Sequence, residues 1–178
     1  MKIPRLAVTP FAILLFATIL SPVASGQTPA SPDITGTWTL DLSKSKPDKR
    51  FPITSQTLVV SALGQSMKFD YRTDGKPLSF TYVIDGKEHI TPIPAPPSPD
   101  GTKQPPNPMF KDAENIIKAE WKKSALDIVT ISRMGPLGSN IDSLFLSQHW
   151  TLSPDGKTLT EKTGSDFDSG HLYVYEKQ

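Results

Sequence analysis

The sequence predicts an all-β protein: an antiparallel up-and-down meander closed into a barrel of about eight to ten strands, with a long Pro-rich loop inserted in it. Three observations carry this. Apolar and polar residues alternate one for one in several runs, most cleanly in Met67-Lys68-Phe69-Asp70-Tyr71-Arg72. Turn signals separate those runs at short intervals, at Leu63-Gly64, Asp74-Gly75, Asp85-Gly86 and Asp155-Gly156. No stretch after residue 26 keeps a helical period. Closing the meander removes exposed strand edges; a two-sheet sandwich is the alternative arrangement of the same strands.

Residues 1–26 read as a secretory signal peptide. Lys2 and Arg5 precede an apolar run from Leu6 to Leu20, and Ala24 and Gly26 supply the small residues before a cut at Gln27. The run is shorter than the ~20 apolar residues of a membrane span. A secreted or periplasmic, bacterial product is therefore expected, with no membrane insertion after cleavage. Residues 27–33 form a short lead-in, and 34–178 a single barrel domain.

The barrel opens on Ile34 to Leu42, where Ile34, Gly36, Trp38, Leu40 and Leu42 share one face and Thr35, Thr37, Thr39 and Asp41 the other. Trp38 is expected to plug one end, with Gly36 leaving room for another segment against the indole. Ser43 to Arg50 is polar, basic and broken by Pro47, hence a surface loop. Thr57–Ala62, Ser66–Arg72 and Leu78–Ile84 make successive hairpins, and Glu88–Thr91 a short strand ended by Pro92. Pro92 to Pro108 holds eight prolines, which rules out a strand or helix interior; the loop extends over 92–112. A turn of helix is suggested near Phe110–Glu114. Strands resume at Asn115–Lys122, Leu126–Arg133, Leu144–Leu152, Lys157–Thr163 and Leu172–Tyr175.

Gly36-Thr37-Trp38 near the start of the first strand resembles the Gly-x-Trp signature of the lipocalins. A more specific resemblance is to secreted bacterial lipocalin-like proteins. It rests on the pattern from Gly36 to Lys46, on Asp155-Gly156-Lys157-Thr158-Leu159-Thr160, and on Val174-Tyr175-Glu176-Lys177. The resemblance implies a calycin-type barrel whose tryptophan packs across the closed end beneath a late-strand arginine. This chain departs from the lipocalin pattern in having no Thr-Asp-Tyr motif, no arginine in the last strand, no disulfide and no C-terminal helix. Lys177 is the candidate for the arginine's place.

Composition excludes several functions. There is no cysteine, hence no disulfide, thiol catalysis or thiolate metal site. Net charge is +1, falling to about −1 without Lys2 and Arg5, and the basic residues form no stripe, so no nucleic-acid partner is implied. No phosphate-cradling loop, Gly-x-Ser-x-Gly elbow or His-Glu-x-x-His occurs. His89, His149 and His171 lie on three separate strands, with His149 and His171 reading as outward. Asp166 and Asp168 lack the spacing of an efficient calcium loop. The sequence thus assigns no catalytic residue, metal or cofactor and does not imply an enzyme.

A small apolar or amphipathic ligand is the expected partner, and the chain is treated as a monomer. The interior candidates for contact with it are Phe69, Tyr71, Phe80, Tyr82, Trp121, Gln148 and Trp150, with Gly36 and Trp38 as the structural plug. These residues either hydrogen-bond one another in a filled core or line a cavity with a few polar handles. The alternative function is an envelope interaction module with a filled core, using the Pro-rich loop or outward aromatics such as Tyr173 and Tyr175.

Overall fold

The computed structural model describes residues 31–94, 112–135, 143–166 and 168–178, with Asp168 and Ser169 as backbone only. Residues 1–30, which include the expected signal peptide, and most of the Pro-rich loop lie outside the described residues. Ten strands follow in order: β1 (Gly36–Leu40), β2 (Gln56–Leu63), β3 (Ser66–Thr73), β4 (Lys76–Val83), β5 (Glu88–Pro92), β6 (Glu114–Lys122), β7 (Ala125–Arg133), β8 (Ser143–Leu152), β9 (Thr158–Ser165) and β10 (Asp168–Lys177). They form one antiparallel sheet in the order β4-β3-β2-β1-β10-β9-β8-β7-β6-β5. Every strand pairs with its chain neighbour except β4 with β5, and β1 pairs with β10.

The sheet curls so that β4 returns to β6. A parallel bridge joins Ile84 to Ala119, and the Gly86 amide donates to Ala119 O at 3.0 Å. The barrel is therefore pinched shut at one end of this seam and has no β4–β5 ladder above it. This settles barrel against sandwich. No helix occurs among the described residues. Asp112 turns with φ 61°, and Glu114 already begins β6, so the suggested helical turn is not formed at its described positions. Phe110 and Lys111 lie outside them.

The alternation that marked the strands also sorts their faces. Leu58, Val60, Met67, Phe69, Tyr82, Ala119, Leu126, Ile128, Trp150, Leu159 and Tyr175 form one buried cluster with Ile34, Trp38 and Leu40. The turn between β3 and β4 is two residues long, with Asp74 at φ 48° and Gly75 at φ 80° between the paired Thr73 and Lys76. Both positive angles suit the strand twist, and Asp-Gly tolerates them.

The connection between β1 and β2 is the longest described one, residues 41–55, and it decides the shape of the open end. It first continues beside β10: Lys46 and Leu172 exchange backbone hydrogen bonds at 2.7 and 3.2 Å, and the Val174 amide donates to Ser45 Oγ at 2.9 Å. It then crosses toward the β3–β4 turn. There Asp74 Oδ1 accepts from the Thr54 amide at 3.0 Å, the Thr54 hydroxyl at 2.6 Å and the Ser55 amide at 2.8 Å.

Candidate functional site

The two ends of the barrel differ. At the closed end, residues 31–35 fold beneath Trp38, whose Nε1 donates to Ile34 O at 3.1 Å; the indole is fully buried. Gly36 has φ 134°, and a side chain there would meet Lys177 Cε at 3.3 Å. The space Gly36 leaves is thus filled by the Lys177 stem, and Lys177 Nζ sits 5.3 Å from the indole centroid. Trp38 is thus buried at this end of the barrel, with the Lys177 cation beside its ring.

Above the plug the barrel is filled by aromatic packing. The Phe69 ring lies 5.2 Å from that of Trp150, and Trp150 stacks on Tyr175 at 6.1 Å. Phe69 also meets Tyr82 edge-on at 5.7 Å. Beyond this floor the interior opens. An inner chamber of about 200 Å³ is bounded by Tyr71, Phe80, Gln148, Glu161, Tyr173 and Tyr175, with Gln56, Thr73 and Thr163 adding polar groups. It widens into a mouth of about 660 Å³ beneath Phe51, Pro52 and Ile53 of the crossing segment, with Leu78, Leu146, His171 and Tyr173 on the other walls. The interior is therefore half filled and half open.

The apolar walls of the open half are wet. Leu78 is 55 % and Phe80 41 % exposed although both alternate inward, and Leu146 is exposed as well. Leu78 and Phe80 stand beside the open seam, where β4 has no ladder to β5.

Polar groups gather around one carboxylate. Glu161 is only 4 % exposed. Its Oε1 accepts from Gln148 Nε2 at 2.7 Å, and Tyr175 OH lies 3.5 Å from Oε2. That hydroxyl has one proton, and its shorter contact is to Gln56 Oε1 at 2.8 Å. Tyr82 OH donates to Gln148 Oε1 at 3.3 Å. Burial pushes the Glu161 carboxyl up to about 7, against the lowering effect of Gln148 and Tyr175. Burial, then the Glu161 charge, holds Tyr71, Tyr82 and Tyr175 above the usual phenol range.

At the mouth, Arg50 grips Asp48 through Nε at 3.0 Å and Nη2 at 2.6 Å, which with burial opposing holds the Asp48 carboxyl down to about 2. His171 Nε2 lies 3.5 Å from the same carboxylate. His149 points outward, 2.5 Å from Asp127. No group of three or more metal-ligating side chains occurs among the described residues.

Of the seven interior candidates, Tyr71, Phe80 and Gln148 line the inner chamber, and Tyr82 supports it through Gln148. Phe69 and Trp150 are its floor, fully buried, and Trp150 Nε1 finds no acceptor there. Trp121 belongs elsewhere: it borders the depression at the closed end with Ile34, Met67 and Ile84. Two further readings are corrected. Tyr173 and Tyr175 face inward, since they pair with Glu161 and Leu159 on the same face, and Tyr175 is 1 % exposed. His171 shares that face and reaches the mouth. Glu161, Gln56 and Tyr175 are the site residues that sequence reasoning missed. Strict alternation from Leu159 through Glu161 to Thr163 was the available signal for the first.

No family model matches the chain, and no curated protein sequence matches it. Solved structures are similar to it. Fatty-acid-binding protein 1 of Echinococcus granulosus superposes with a TM-score of 0.50 at 13 % identity, covering 80 % of this chain and 96 % of that one. A Schistosoma mansoni fatty acid binding protein in complex with arachidonic acid gives 0.51 at 13 % identity, covering 82 % and 96 %. At that identity the likeness is one of fold. With the strand order and the closed tryptophan end, it defines a lipocalin- or calycin-like barrel.

Proposed function

We propose that this chain is a secreted or periplasmic binding module for a small apolar or amphipathic molecule, held in the open half of the barrel and not chemically altered. The observation that carries this is the inward-facing but exposed row of Leu78, Phe80 and Leu146 around a chamber whose polar groups gather about Glu161. Covering such surface contributes roughly 25 cal/mol per Å² removed from water, which favours occupancy by an apolar chain or ring. The Schistosoma protein of the same fold was solved with arachidonic acid, which supports a ligand inside such a barrel. The export assignment rests on residues 1–26.

The test is titration of the purified protein with the neutral apolar dye N-phenyl-1-naphthylamine. Saturable one-to-one enhancement is expected, weakened by Tyr82→Ala or Gln148→Leu while the far-ultraviolet spectrum stays that of the folded barrel. Absence of saturable binding to this dye and to a broad lipid panel would overturn the reading and favour the interaction module.

A further inference from the structure

The chamber's polar end has the wrong sign for an anionic ligand. Glu161 is buried and lines the chamber, and the groups that perturb it are its own burial, Gln148 and Tyr175, with no cation among them. Among the described residues, no lysine or arginine lines the inner chamber. Lys177 is on Trp38 at the closed end, Arg50 is locked on Asp48 at the mouth, and Arg133 is paired outside with Glu114 at 3.3 Å. A ligand carboxylate entering the chamber would meet Glu161 in a medium of low dielectric, where like charges repel strongly.

The same surroundings suit a cation. Oε2 of Glu161 has its nearest donor at 3.5 Å, and that donor is better engaged with Gln56. Tyr71 and Phe80 meet edge-on at 6.1 Å, and Phe80 stacks on Tyr82 at 6.1 Å, so aromatic rings wall the space beside the carboxylate. Ring faces and a buried carboxylate both attract an ammonium group, and an ammonium brings the donors that Oε2 lacks.

Resting on the binding function proposed above, we infer that the ligand is an amphiphile with a protonated amine, its ammonium paired with Glu161 and its apolar part directed to the mouth along Leu78 and Leu146. Ionised Glu161 then recovers by pairing what it loses by burial.

The experiment displaces N-phenyl-1-naphthylamine at pH 8 with dodecylamine, dodecanol and dodecanoic acid, each below its micellar concentration. Dodecylamine should displace the dye at a concentration at least about ten-fold lower than dodecanoic acid, with dodecanol between them. In Glu161→Gln the amine-to-acid ratio, each competitor referred to that variant's own dye affinity, should collapse to within about two-fold. Equal or better displacement by the acid in the wild-type protein overturns the inference without any variant, as does an unchanged ratio in a folded Glu161→Gln. Dye binding with no amine preference removes this inference and leaves the binding function standing. Failure of the dye and all three amphiphiles removes both.

Discussion

Lys177 and Trp38 meet from opposite ends of the chain: the ammonium lies 5.3 Å from the indole centroid, and its stem passes over Gly36. The first and last strands are thereby locked at the closed end, where Trp38 pairs in register with both Leu58 and Lys177. Trp38→Ala should cost ~3–5 kcal/mol, the range for large aromatic truncations in cores. Guanidinium unfolding checks this, and an unchanged midpoint would place the indole outside the core.

Glu161 sets a pH dependence of stability. Its folded value is raised to about 7 from the ordinary 4.5 of an exposed glutamate, so the folded state holds the extra proton between those limits. Its contribution is fully present below about pH 4.5, declines as pH rises through 7, and is then lost. The cost of keeping the ionised group buried is of order 3 kcal/mol at pH 8. Glu161→Gln should raise the urea midpoint at pH 8 and change it little at pH 4.5. Equal effects at both pH values would show that the carboxyl is solvated.

Asp74 fastens the crossing segment to the barrel rim. Its carboxyl is held below the usual range, chiefly by the Thr54 hydroxyl, so the clasp persists until pH falls through that lowered value. Asp74→Ala removes the acceptor and strains a residue at φ 48°, whereas Asp74→Asn keeps an acceptor and tolerates the angle. Amide exchange at Thr54 and Ser55 should quicken by roughly ten-fold in the alanine variant and little in the asparagine one. Dye affinity should follow the same order, because Phe51 to Ile53 form the roof of the mouth.

The ends of the Pro-rich insertion are already side by side. Pro92 pairs with Glu114, and the Ile93 amide donates to Ala113 O at 2.8 Å. Replacing residues 95–111 with a short Gly/Ser linker should leave the thermal midpoint nearly unchanged, since loop-closure entropy varies only logarithmically with length. A large loss of stability would assign that segment a packing role.

Much of the barrel was legible because half-buried strands write their orientation in alternating residues. Met67, Phe69 and Tyr71 read inward and are inward. Tyr173 and Tyr175 did not read correctly because β10 is apolar on both faces: Val174 is buried too, beside the chain at Ser45 and Lys46. Local alternation cannot choose a face when a second segment covers the outer one. Glu161 was obscured because a charged residue in a strand ordinarily marks the solvent side. Its surroundings are Gln148 from β8 and Tyr175 from β10, the latter held by Gln56 of β2, and only the assembled barrel brings these together. Trp121 read correctly as inward-facing, but height along the barrel axis is set by register, which a single strand does not disclose.

Pairing of β1 with β10 also fixes when the molecule can become complete. Thr39 and Gln178 are hydrogen-bonded across 139 positions, so the strand made first has one edge unsatisfied until the strand made last arrives. Closure entropy for almost the whole domain precedes the contacts that reward it, which places refolding toward the millisecond-to-second range of all-β topologies. Before β10 docks, β1 and β9 are two further sticky borders beside those of β4 and β5, so its arrival is the step that halves the edges this protein exposes.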